Sequence, residues 1–196
     1  MVDSSESAKD NHAQEKQLVI DVVDRLGGVR FQGERSLNFR TALLQYSSSS
    51  KTEQTFQEWQ GVANFKARIR DLPYIGQGTY TTYAITNLTH LYERETFPGT
   101  VRVALLLTDG EFHPRNPDIF SAMADARSHG VFFFMVGITP AATELGNVQQ
   151  LRMLADTPAP RFLHNLQDKG IVEKVVKEIV SLPNCISAHN TVMMWI

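Results

Sequence analysis

The sequence predicts an α/β fold with a largely parallel sheet, and three observations carry that prediction. VRVALLL at 101–107 and VFFFMVG at 131–137 are nearly continuous apolar runs, as expected of strands buried on both faces. Around them, apolar residues recur at three- and four-residue steps, the pattern of a helix with one buried face. The two patterns alternate over most of the chain, which favours crossover connections and parallel pairing.

Taken in order, Leu18, Val19, Val22, Val23 and Leu26 form the first helical stripe, ended by Gly27-Gly28. SLNFRTALLQY at 36–46 reads as a strand, 47–50 as a polar turn, and 52–56 as a second strand completing a hairpin. Trp59, Val62, Phe65 and Ile69 mark a helix. Gly76 and Gly78 tighten the loop at 73–78. Ala84, Ile85, Leu88, Leu91 and Tyr92 give the next helix, which leads into the strand at 101–107. Asn116-Pro117 starts a helix that Gly130 ends, with proline suited to the first helical position. After the strand at 131–137, Asn147 is expected to cap a helix carrying Val148, Leu151 and Leu154. A short strand at 161–164 precedes the last stripe, Ile171, Val172, Val175, Val176, Ile179 and Val180, stopped near Pro183. ISAHNTVMMWI at 186–196 fits none of these elements. The expected domain is therefore 1–183, with 184–196 as a tail outside it.

Composition narrows the function classes. The 196 residues are 42% hydrophobic, with 19 basic against 21 acidic side chains and a formal net charge of -2. Such a chain has enough apolar residues for one domain, unlike a disordered segment. No Lys/Arg cluster offers a nucleic-acid footprint, so no nucleic-acid partner is expected. No apolar run reaches the ~18–20 residues of a membrane span. MVDSSESAKD has neither the basic nor the apolar region of a signal peptide. With Cys185 as the one cysteine, an internal disulfide and a multi-thiolate zinc site are both excluded.

Three short stretches carry the chemistry: Asp3-Ser4-Ser5-Glu6-Ser7, Gly76-Gln77-Gly78-Thr79-Tyr80-Thr81, and Thr108-Asp109-Gly110-Glu111 after the 101–107 strand. Loops after the carboxyl ends of parallel strands converge on one rim, where ligands bind. Asp3, Ser5, Ser7, Thr79 and Asp109 can therefore meet although far apart in sequence. Two carboxylates and three hydroxyls are hard oxygen donors, suited to Mg²⁺, with Mn²⁺ or Ca²⁺ as alternatives. Each stretch alone has a plainer reading, as a helix cap or a turn. Their order, with a hairpin and a buried strand between them, carries more weight than any one of them.

DxSxS, then GxGTxT, then a buried strand ending in TDG resembles the metal-ion-dependent adhesion site of von Willebrand factor A domains. The resemblance spans roughly residues 1 to 183, and YIGQGTYTTYAI and LLLTDGEFHPRNPDIFSA look most like A domains of matrix collagens of types VI and XXVIII. It implies a doubly wound, Rossmann-like, mostly parallel sheet with helices on both faces and one antiparallel edge strand. It implies metal contacts from Ser5, Ser7 and Thr79, with Asp3 and Asp109 binding directly or through water. It also implies an extracellular adhesion module that binds a matrix or cell-surface protein, with a partner carboxylate completing the metal shell. A disulfide from Cys185 to a segment upstream of Met1 belongs to the same inheritance. The segment at 138–146 is too short for the extra helix of collagen-binding integrin domains.

The resemblance also places an apolar central strand before DxSxS, and here only Met1-Val2 precede Asp3. Losing four or five buried apolar side chains at ~1.5–3 kcal/mol each forfeits roughly 6–15 kcal/mol, comparable with the ~5–15 kcal/mol stability of a domain. The expectation is a first central strand largely missing and a chain that is marginal or unfolded. Asn87-Leu88-Thr89 is a glycosylation sequon on a helix. Two rival readings are a metal-independent structural matrix module and a metal-dependent hydrolase. The glycine loop is not a nucleotide fingerprint, and neither a Walker lysine nor a GxSxG elbow occurs. The hydrolase reading would need Glu111 as its acid or base, and no catalytic residue is assigned.

Overall fold

The computed structural model describes residues 1–31, 35–183, 185 and 191–196. Seven strands form one sheet: β1 (Val2–Asp3), β2 (Phe39–Tyr46), β3 (Ser50–Gln54), β4 (Val101–Thr108), β5 (Val131–Gly137), β6 (Leu163–Asn165) and β7 (Val192–Trp195). All pairings are parallel except that of β3 with β2, which makes β3 the antiparallel edge. The helices are α1 (His12–Gly27), α2 (Val62–Arg70), α3 (Thr81–Glu95), α4 (Ile119–Ser128), α5 (Leu145–Leu154), α6 (Ala159–Phe162) and α7 (Ile171–Val180). α1 packs against α2 and α7, while α3 packs against α4. The apolar strands β4 and β5 lie between these layers, and Val103, Leu105, Leu107, Phe133 and Met135 are fully buried.

The line between β2 and β4 holds β7 and β1 together. What precedes Asp3 is short, as the sequence indicates, but the place of a central strand is not vacant. Val192, Met193, Met194, Trp195 and Ile196 fill it and are buried there. For 192–196, the expectation that 184–196 lie outside the domain is corrected accordingly. A five-residue apolar run with a β-branched start hydrogen-bonds on both edges, a better outcome for it than exposure to water. The premise of an unfilled sheet, from which marginal stability was expected, falls with it. Residues 184 and 186–190 of the same stretch lie outside the described residues.

Local boundaries differ where side chains choose other partners. Asp118, not Asn116-Pro117, caps α4, and its carboxylate accepts from the Phe120 and Ser121 amides. Asn116 instead accepts the Thr82 amide at 3.2 Å, serving the start of α3. Asn147 sits inside α5 rather than capping it, and its amide donates to the Ala141 carbonyl at 3.1 Å. The hairpin strand is Ser50–Gln54, two residues earlier than expected, and the stretch expected as a strand at 161–164 is divided between α6 and β6.

Candidate functional site

The carboxyl ends of β1 and β4 open on one rim, and the structure ties three loops together there. Ser4 is the knot. Its carbonyl accepts the Gly76 amide at 2.9 Å, and its hydroxyl accepts the Ile75 amide at 2.8 Å and the Gln45 amide nitrogen at 2.7 Å. The Glu6 amide donates to Gln77 O at 2.8 Å, and the Tyr74 hydroxyl to Ser5 O at 3.0 Å. The His113 amide donates to Thr79 O at 3.1 Å, which joins the glycine loop to the loop after β4. Gly76 and Gln77 both adopt positive φ, 77° and 87°. For glutamine that is a strained conformation, held by the bonds on either side.

These ties gather the five predicted residues. Asp3 is fully buried, with Oδ1 accepting the Ser5 amide at 2.9 Å and Oδ2 at 3.2 Å from the Tyr46 hydroxyl. The Ser5 and Ser7 hydroxyl oxygens lie 3.2 Å apart. Thr79 is buried and lines, with Ser7, Gly78, Glu111 and His113, an open depression of about 440 Å³. Asp109 is buried, and its Oδ1 accepts the Glu111 amide at 2.9 Å. Its Oδ2 is buried with no hydrogen-bond partner among the described residues. Gly110, at φ 83°, turns the chain immediately after it. Glu111 itself points to solvent, and Tyr80 stacks on His113 with ring centroids 4.6 Å apart.

The electrostatics of this cluster are unfavourable without a counter-charge. Burial, and then the neighbouring Asp109 carboxylate, push the Asp3 carboxyl up to about 7. Buried carboxylates close enough to repel each other need a cation or a proton. Among the described residues no group of three or more His, Cys, Asp or Glu side chains is arranged to hold a metal. A cation at this rim would therefore rest on two carboxylates and neutral hydroxyls, and the buried, unpartnered Asp109 Oδ2 is a free acceptor for it. The donors fit a hard divalent ion.

Two residues were missed in the sequence. Glu15 is fully buried on α1, and its Oε2 accepts the Asp3 amide at 3.0 Å. Burial and the nearby Asp3 carboxylate hold its carboxyl well above the ordinary range. The signal was present, because position 15 lies three and four residues before Leu18 and Val19, on the same face. The second is Tyr46, whose hydroxyl also lies 2.7 Å from Leu107 O and so bridges Asp3 to β4. Of the remaining features, Cys185 is a buried free thiol, pushed up to about 11 by burial. Asn87 is exposed and donates to Ser50 Oγ at 2.5 Å.

The comparisons with known proteins agree with this architecture. The chain is 26% identical over 185 residues to the collagen alpha-2(VI) chain of Gallus gallus, covering 86% of this chain and 18% of that one. It is 25% identical over 189 residues to matrilin-2 of Mus musculus, covering 91% and 18%. The chain thus spans about a fifth of the length of these relatives. Among solved structures, proximal thread matrix protein 1 from the mussel byssus, with a zinc-occupied MIDAS motif, superposes with a TM-score of 0.66 at 18% identity, over 91% of this chain and 45% of that one. An aerotolerance-related membrane protein from Bacteroides fragilis superposes with a TM-score of 0.66 at 16% identity, over 92% and 96%. No helix among the described residues is long and apolar enough to cross a membrane. The von Willebrand factor type A domain model matches residues 1–178, more than half of the sequence, and the chain belongs to that family.

Proposed function

We propose that the chain is a protein-binding adhesion module of the extracellular matrix that engages its partner through a divalent cation at the rim. Asp3, Ser5, Ser7, Thr79 and Asp109 would hold the ion, with Mg²⁺ the first candidate and Mn²⁺ or Ca²⁺ the alternatives. Bound there, the ion supplies an electrophilic position that a carboxylate of the partner completes. The buried, unpartnered Asp109 Oδ2 beside a second buried carboxylate is the observation that carries this reading. The matrix location and the matrix partner are supported by relatives that are collagen VI chains and matrilins. The protein's own residues do three things. Tyr46 and the Ser5 amide orient Asp3, the Glu111 amide orients Asp109, and the Ser4 bonds hold the glycine loop that carries Thr79.

Thermal unfolding of the chain in EDTA and in excess Mg²⁺ tests the metal. A ligand at 100 times its Kd stabilises the native state by about 2.7 kcal/mol, and each kcal/mol moves the midpoint of a domain this size by roughly 2–4 °C. The expected rise is about 5–10 °C, absent in Asp109→Asn. No rise with Mg²⁺, Mn²⁺ or Ca²⁺ would remove the metal from the proposal and leave the metal-independent matrix module.

A further inference from the structure

The two ends of the chain meet inside the sheet, and their registers fit without a gap. Val192, Met193, Met194 and Trp195 stand opposite Phe39, Arg40, Thr41 and Ala42 of β2, while Val2 and Asp3 stand opposite Gln45 and Tyr46. Between these sets β2 has two residues, Leu43 and Leu44. The line has two residues to match them, Ile196 and Met1. The hydrogen bonds assign one to each. The Ile196 amide donates to Ala42 O at 2.9 Å and its carbonyl accepts the Leu44 amide at 2.7 Å, so Ile196 bonds to β2. The Met1 amine donates to Leu105 O and the Met1 carbonyl accepts the Leu107 amide at 3.0 Å, so Met1 bonds to β4. In a parallel sheet, consecutive residues of a central strand bond to opposite neighbours in this alternating way. Both residues are fully buried, and every residue of β7 and β1 is buried.

We infer that residues 192–196 and 1–3 are two pieces of one central strand, so that a chain running through Ile196 into Met1 and opened at an exposed position elsewhere keeps the same sheet. The inference does not depend on the rim binding a metal.

The test is a permuted protein in which Ile196 is joined to Met1 and the chain is opened after the exposed Pro183. It is expected to give the circular dichroism spectrum of the original and to unfold cooperatively at no lower temperature. A lower midpoint, or no cooperative transition, would overturn the inference. A second permuted protein carries one added glycine between Ile196 and Met1. Shifting a strand by one residue turns its side chains to the opposite face. The insertion is therefore expected to lower the midpoint below that of the direct joint, and an unchanged midpoint would contradict the gapless register. On the original chain, hydrogen exchange at the amides of 193–196 is expected to be as slow as in β4. Exchange at the rate of an exposed tail would also overturn it.

Discussion

Glu15 shows how one side chain sets the position of the rim. Its carboxyl holds the Asp3 amide from inside the core, where burial raises its pKa well above the ordinary carboxylate range. An isosteric amide keeps the acceptor and removes the ionisation. Glu15→Gln should therefore cost little at neutral pH and leave the Mg²⁺ response in place. Glu15→Leu strands a buried amide and should cost about 1–3 kcal/mol in urea denaturation. His164 is the residue to watch on acidification. It is buried on β6, and burial lowers its pKa from 6.5. The unfolded chain then takes the proton first, so this contribution is intact above about pH 6.5 and is lost as pH falls below it. Comparing urea midpoints at pH 7.5 and 5.5, His164→Gln should lose less than the parent chain.

At the scale of elements, α3 is bound to the centre of the sheet through one hydroxyl. The Tyr92 hydroxyl bonds to Val103 O of β4 and lies 2.9 Å from Met193 O, while the Trp195 amide donates to it at 3.2 Å. A side chain thus stands in the ladder between β4 and β7. Tyr92→Phe keeps the ring against Phe56 and leaves these backbone groups short of partners, so it should cost about 1–3 kcal/mol in a denaturant titration. This also explains what was legible. β4, β5 and the helical stripes were readable because burial on both faces, or on one, leaves a periodic trace in the sequence. The three rim stretches stand out in the sequence by their order around the hairpin and the buried strand, since each alone also reads as a helix cap or a turn. β7 was not, because VMMWI was judged by its place after Pro183 and its partners lie about 90 and 150 positions earlier in the chain. Glu15 was passed over because a carboxylate on a helix is ordinarily exposed.

For the molecule as a whole, the last residues complete the middle of the sheet, so its stability is a long-range property. β7 pairs with β2 and β4 at once, and neither neighbour can be satisfied on that edge before residue 192 is in place. The five side chains of 192–196 bury roughly 7–15 kcal/mol worth of apolar contact at ~1.5–3 kcal/mol each, as much as a domain of this size has in total. A chain ending at Thr191 should consequently show no cooperative unfolding transition, and Mg²⁺ should not restore one, since a ligand of the native state cannot act where that state is unpopulated. The full chain should show a single transition. Trp195 is fully buried, and the other tryptophan, Trp59, packs between Phe39 and Phe65 on another part of the core. The fluorescence of Trp59→Phe therefore reports on β7 alone. If that signal changes at a lower urea concentration than the far-ultraviolet circular dichroism, the C-terminal strand detaches before the domain unfolds, and the central strand is not the cooperative link argued here. Coincident curves are the expected result.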